Sequence, residues 1–111
     1  MCIRDSDEFD NYINKSPLGV IFVMAPWNYP IITATNTIVP ALLAGNTIVI
    51  KHSSQTPRCA ELISQAFEKT ELPEGVFQFV HTDHQACEKI IADPRIAHVV
   101  FTGSVLSLIH I

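Results

Sequence analysis

The stretch GVIFVMAPWNYP, residues 19–30, joins an unbroken apolar run to a turn built from prolines and aromatics. A run with no polar alternation suits a strand covered on both faces, the situation in a parallel sheet layered between helices, better than a half-wetted antiparallel strand. The run stops at Pro26-Trp27-Asn28-Tyr29-Pro30, where one carboxamide sits between two aromatics and two prolines. Three further runs of the same character follow: NTIVIK (46–51), GVFQFV (75–80) and AHVVFT (97–102).

Helix-length segments separate them. The first spans Ile31 to Ala44 and ends at Gly45-Asn46, a strong helix stop; Pro40 inside it predicts a kink or an early break. In the second, Thr56 is placed to cap and Pro57 to occupy the first helical position, with Leu62, Ile63, Ala66 and Phe67 as its apolar stripe. The third runs from His84 to Ala92, buries Ala86, Cys87, Ile90 and Ile91, and stops at Asp93-Pro94. Strand and helix thus alternate, and such units cross over onto one parallel sheet. The expected architecture is α/β: one domain with a Rossmann-like open parallel sheet of about four strands and intervening helices, truncated at its ends.

The bulk numbers agree. A chain of 111 residues, 48% hydrophobic and 16% charged, can bury one modest core. Its apolar stretches fall short of the roughly 20 residues a spanning helix needs. A net charge of −4 argues against nucleic-acid or anionic-membrane binding. Cys2, Cys59 and Cys87 form no CxxC pair, which points to a reducing, cytoplasmic setting without disulfides.

The two ends stand apart. MCIRDS (1–6) can be encoded by ATGTGTATAAGAGACAG, and the reverse complement of that DNA translates as LSLIHI (106–111). Inverted repeats of this kind resemble transposon-end sequencing adapters, so residues 1–6 and 106–111 are expected to be adapter-derived, flanking a partial domain over 7–105. Without Arg4 and Asp5 the balance is 6 basic against 10 acidic residues, still −4.

In open α/β sheets, ligands sit beyond the carboxyl ends of the strands. That rule selects APWNYP after the first strand, KHSSQTP at the end of the second and TGS after the fourth. On the residues alone, Asn28 reads first as a turn asparagine, Lys51 as a solvated lysine and Gly103-Ser104 as an ordinary turn. His81, His84 and Cys87, spaced three apart, read as solvated histidines and a packed thiol rather than a metal site. Cys59 and Cys87 read as small core residues.

PLGVIFVMAPWNYP, PALLAGNTIVIKHSSQTP, LPEGVFQFV and VVFTGS stand in the order and spacing of the cofactor-binding domain of the aldehyde dehydrogenase superfamily, and the chain resembles that family over nearly all of 17–104. The resemblance implies oxidation of a small-molecule aldehyde to a carboxylic acid with NAD or NADP: a cysteine thiolate adds to the carbonyl, hydride leaves to the nicotinamide, and water activated by a glutamate cleaves the thioester. It implies that Asn28 donates to the aldehyde oxygen as charge builds there, with Trp27 and the prolines holding its backbone still. For the cofactor it implies Pro26, Trp27, Lys51, Ser54, Gly103 and Ser104, with Lys51 on the adenosine ribose and Gly103-Ser104 at the pyrophosphate. In relatives the nucleophile and the base lie downstream of Thr-Gly-Ser, so this segment is expected to be inactive alone, and the parent enzyme to be a homo-oligomer.

The departures matter as much. The family pattern Lys-Pro-x-Glu is here Lys51-His52-Ser53-Ser54, and loss of the carboxylate removes a charge that would repel a 2′-phosphate, so tolerance of NADP is expected. HTDHQ (81–85) replaces a loop that often holds glycine near the adenine, and no role passes to Thr37.

Overall fold

Each of the four apolar runs forms a strand of one parallel sheet, in a computed structural model that describes residues 2–5 and 10–103, with side chains from residue 12 onward. The elements are β1 (Cys2–Asp5), β2 (Asp10–Ile13), β3 (Val20–Ala25), α1 (Pro30–Leu43), β4 (Thr47–His52), α2 (Pro57–Glu68), β5 (Phe77–Phe79), α3 (His84–Ala92) and β6 (Ile96–Phe101). β1 and β2 pair antiparallel as a separate two-stranded sheet. The parallel sheet has the order β5-β4-β3-β6 with helices between its strands, an α/β Rossmann-like fold. No helix among the described residues is long and apolar enough to cross a membrane.

β3 is apolar throughout because both of its faces are covered. Ile21, Val23 and Ala25 pack with Ile48 and Ile50 of β4 against Ala34 and Ile38 of α1 and Ala60 and Ile63 of α2. Phe22 and Met24 point the other way and meet Cys87 of α3, with Val99 and Phe101 of β6 around them. Fully burying a side chain such as Phe22 or Ile38 contributes about 2 kcal/mol. Residues of opposite parity on β3 therefore serve two cores, as the period of 2 along a strand requires.

α1 ends in a Schellman motif: Gly45, at φ 95, donates to the Leu42 carbonyl at 3.0 Å and Asn46 N–H to the Ala41 carbonyl at 3.0 Å. The side chain of Asn46 is 7% exposed, and its Oδ1 accepts from the N–H groups of Leu18 (2.7 Å) and Gly19 (3.1 Å) while Nδ2 donates to Ala41 (3.0 Å). One asparagine thus ties the end of α1 to the residues leading into β3.

Three local expectations are corrected. Of the kink or early break expected at Pro40, the break does not occur: the helix runs on to Leu43, with Pro40 on the exposed side, where the carbonyl it leaves unpaired can meet water. The stripe of α2 is Ala60, Ile63 and Phe67, whereas Leu62 (48% exposed) and Ala66 face outward. Apolar residues at four consecutive-pair positions left two stripes open, and only docking on β4 and β5 chose between them. Thr56 does not cap α2 through its side chain: its φ −134, ψ 49 lies outside the usual capping region, and the turn closes through Thr56 N–H to Ser53 carbonyl at 2.9 Å. α3 is capped as a helix start should be, Asp83 Oδ1 accepting from Ala86 N–H at 2.8 Å.

Candidate functional site

The strand order sets the site. From β3 the chain moves outward to β4 and then β5, after which α3 carries it back so that β6 pairs with the opposite edge of β3. A crevice opens where the direction reverses, beyond the carboxyl ends of β3 and β6. It is a cavity of about 530 Å³ whose wall includes Pro26, Trp27, Asn28, Lys51, Ser54 and Gly103. Six of the seven residues singled out from the sequence therefore converge on one space; Ser104 lies outside the described residues.

Register explains how they meet. Lys51, Met24 and Phe101 occupy one row across β4, β3 and β6. Lys51 therefore stands on the face that carries the cavity. Ser53 N–H donates to the Ala25 carbonyl at 3.0 Å and Thr102 N–H to the Met24 carbonyl at 3.2 Å, so the loops leaving β4 and β6 are both tied to the end of β3. At Gly103 an added Cβ would sit 2.6 Å from Cζ of Phe101, a ring that lines the same cavity. Any side chain there would have to displace that ring, so the glycine keeps backbone accessible.

The turn that presents Asn28 is held unevenly. Pro26 is buried and Pro30 opens α1, whereas Trp27 is 59% exposed. Tyr29, at φ 52, is the one non-glycine residue in the left-handed region among the described residues, a conformation costing about 1 kcal/mol. Sequence reasoning passed over the side chain that anchors this turn. His52, 2% exposed, brings Nε2 within 2.9 Å of the Pro30 carbonyl. A carbonyl only accepts, so Nε2 carries the proton, and Nδ1 is buried without a partner among the described residues. Burial lowers the pKa of His52 below its ordinary value; the bond to Pro30 opposes this, and the Lys51 charge and any proton on His81 add to it. The departure from proline at position 52 was the only signal in the sequence.

Around the rim, His84 and Cys87 of α3 complete the wall, with Cys87 buried and its Sγ 3.4 Å from Thr82 Oγ1. Cys59 is half-buried. His81 points to Glu61 (Nε2 to Oε1, 3.2 Å), whose carboxyl is held below its usual range by the Arg58 guanidinium at 2.6 Å and then by His81. Among the described residues no three His, Cys, Asp or Glu side chains gather where they could hold a metal ion. None of the cavity's described lining residues is acidic, and Lys51 is its one lysine. A small backbone approach at Gly103, a cation at Lys51 and hydroxyls at Ser53 and Ser54 form a donor set that fits an anionic dinucleotide.

Comparison with known proteins agrees with that chemistry. The sequence model of the aldehyde dehydrogenase family matches residues 2–111. The chain is 40% identical over 93 residues to the succinate-semialdehyde dehydrogenase [NADP(+)] of Mycobacterium avium, covering 84% of this chain and 20% of that protein. The same identity and coverage hold for the succinate semialdehyde dehydrogenase [NAD(P)+] Sad of Escherichia coli. Among solved structures, succinic semialdehyde dehydrogenase from Streptococcus pyogenes in complex with NADP+ superposes with a TM-score of 0.84 at 27% identity, over 97% of this chain and 24% of that one. The chain thus spans about a fifth of the length of the curated relatives it matches, and it belongs to the aldehyde dehydrogenase family.

Proposed function

We propose that this chain supplies the dinucleotide cleft and the oxyanion donor of an NAD(P)-dependent aldehyde dehydrogenase that oxidises a small aldehyde to its carboxylic acid. The observation that carries the reading is the convergence of Asn28, Lys51 and Gly103 on one cavity at the reversal point of the sheet. When bound, NAD(P) would supply the hydride acceptor. The chain's own groups would bind and orient it: Lys51 and Ser54 would hold the ribose, the peptide group at Gly103 the pyrophosphate, and Pro26 and Trp27 would wall the cleft, while Ser104, outside the described residues, is assigned to the pyrophosphate by the family resemblance alone. Asn28 donates to the carbonyl oxygen, and a neutral amide held before charge develops contributes about 3 kcal/mol to lowering the barrier.

Ser54 in place of a carboxylate, in a cleft whose described lining holds no acid, supports acceptance of the 2′-phosphate of NADP. Two relatives named for succinate semialdehyde make it the first aldehyde to assay. The nucleophilic cysteine and the glutamate base come, in this reading, from sequence other than these residues, and the whole enzyme is a cytoplasmic homo-oligomer. The terminal hexapeptides are adapter-derived in the same reading, which the contiguous genomic DNA tests directly.

The experiment is kinetic. In the dehydrogenase that carries this segment, Asn28→Ala is expected to lower kcat about a hundredfold with little change in KM for the cofactor. A kcat within twofold of wild type would remove Asn28 from the chemistry. NADP+ is expected to work in place of NAD+, and a preference for NAD+ beyond about a hundredfold would refute the reading of Ser54.

A further inference from the structure

Adjacent residues of β4 point to opposite faces of the sheet, so Lys51 faces the cavity while His52 faces α1. His52 reaches the carbonyl of Pro30, the first residue of α1, across 22 positions of sequence. Between the end of β3 at Ala25 and that carbonyl lies only the arch Pro26-Trp27-Asn28-Tyr29. One foot of the arch is the β3 ladder; the other is the first turn of α1, where Thr33 N–H donates to the Tyr29 carbonyl at 3.2 Å and the imidazole bonds the Pro30 carbonyl. Tyr29 within it has the left-handed backbone, and a strained residue persists only where its surroundings fix both ends. Trp27, Asn28 and Tyr29 are themselves exposed, so packing of their side chains does not set the arch.

We infer that His52 is a positioning residue: its buried N–H to the Pro30 carbonyl fixes the arch so that the Asn28 amide and the Lys51 ammonium are held in a set relation across one cavity. The inference rests on the dehydrogenase reading of Asn28. Displacing an oriented group by about 1 Å can cost up to a hundredfold in rate, so a tether of this kind has kinetic consequences without touching substrate.

The test is a double-mutant cycle in the dehydrogenase that carries this segment. His52→Leu, which keeps volume and loses the donor, is expected to lower kcat about tenfold with KM for NADP+ unchanged. His52→Gln, whose Nε2 can donate to the same carbonyl, is expected to recover most of that loss. In the Asn28→Ala background, His52→Leu is expected to cost less than about twofold, because the group it positions is gone. A fully additive effect, a loss expressed in KM for NADP+, or no recovery with glutamine would overturn the inference while leaving the role of Asn28 intact. An Asn28→Ala enzyme of undiminished kcat would instead overturn the reading beneath it. One readout does not depend on turnover or on the leucine variant folding. A long-range 1H–15N imidazole spectrum of the wild-type protein at neutral pH is expected to show His52 protonated on Nε2; protonation on Nδ1 would overturn the tether.

Discussion

β4 is bracketed by the two buried polar side chains among the described residues, Asn46 just before it and His52 at its last position, and the molecule uses them differently. Asn46, at the end remote from the cavity, spends its carbonyl on two backbone donors and its amide on a carbonyl, joining α1 to the lead into β3. Among the described residues His52, at the cavity end, makes one bond and leaves Nδ1 buried and unpaired, as is the hydroxyl of Thr56 nearby in sequence. Buried polar atoms are nearly always satisfied, so unsatisfied ones mark places where stability has been exchanged for something else. The remote end is built for the fold. The cavity end carries a left-handed tyrosine, a half-satisfied histidine and a glycine pressed by a phenylalanine, the local rule-breaking expected where a site is held in place.

That contrast can be broken by experiment. The largest effect is expected from Asn46→Ala, which leaves the amides of Leu18 and Gly19 without their acceptor in a partly buried setting and costs about 3 kcal/mol, read from the urea midpoint. A loss under about 1 kcal/mol would mean that water replaces the side chain easily and that the remote end is not locked by it. Next comes Asp83→Ala, which removes the cap of α3 beside the cavity and should cost about 1 kcal/mol by the same measurement. Equal losses from Asp83 and Asn46 would erase the difference between the two ends.

The smallest effect is expected from acid. His52 is held neutral in the folded chain because burial disfavours its charge, while in the unfolded chain it takes up a proton near its ordinary pKa of about 6.5. Below that value the unfolded state binds more protons, so stability present above about pH 6.5 is lost as pH falls toward the depressed folded pKa. Lys51, and His81 whenever it is protonated, deepen the loss, and only the Pro30 carbonyl opposes it. Urea midpoints followed from about pH 7.5 to 5 should fall more steeply in wild type than in His52→Gln. Parallel slopes would show that the imidazole is not the group that titrates.

Much of the cavity was legible beforehand. Asn28, Lys51 and Gly103 were placed at carboxyl ends of strands by periodicity and by the turn residues that follow each run, which are local signals. His52 was noticed only as a departure from proline, since nothing within a few residues of it reveals that its partner is the Pro30 carbonyl. Asn46 read as half of a helix stop, although its side chain bonds to backbone 27 and 28 positions earlier. Leu62 and Ala66 looked as apolar as Ile63 and Phe67, and β4 and β5 decided which pair was buried.

The sequence by itself determined the alternation of strand and helix, the double-faced burial of β3 and the positions of the chemistry-bearing turns, because each follows from short-range spacing of apolar, glycine and proline residues. Only the tertiary structure decided that β6 pairs with β3 on the side opposite β4, bringing Gly103 to Asn28 and Lys51, and that residues 51 and 52 divide their work between the cavity and α1. Strand pairing and the choice of a buried partner are made between segments distant along the chain, and short-range spacing does not encode which distant segment will be there.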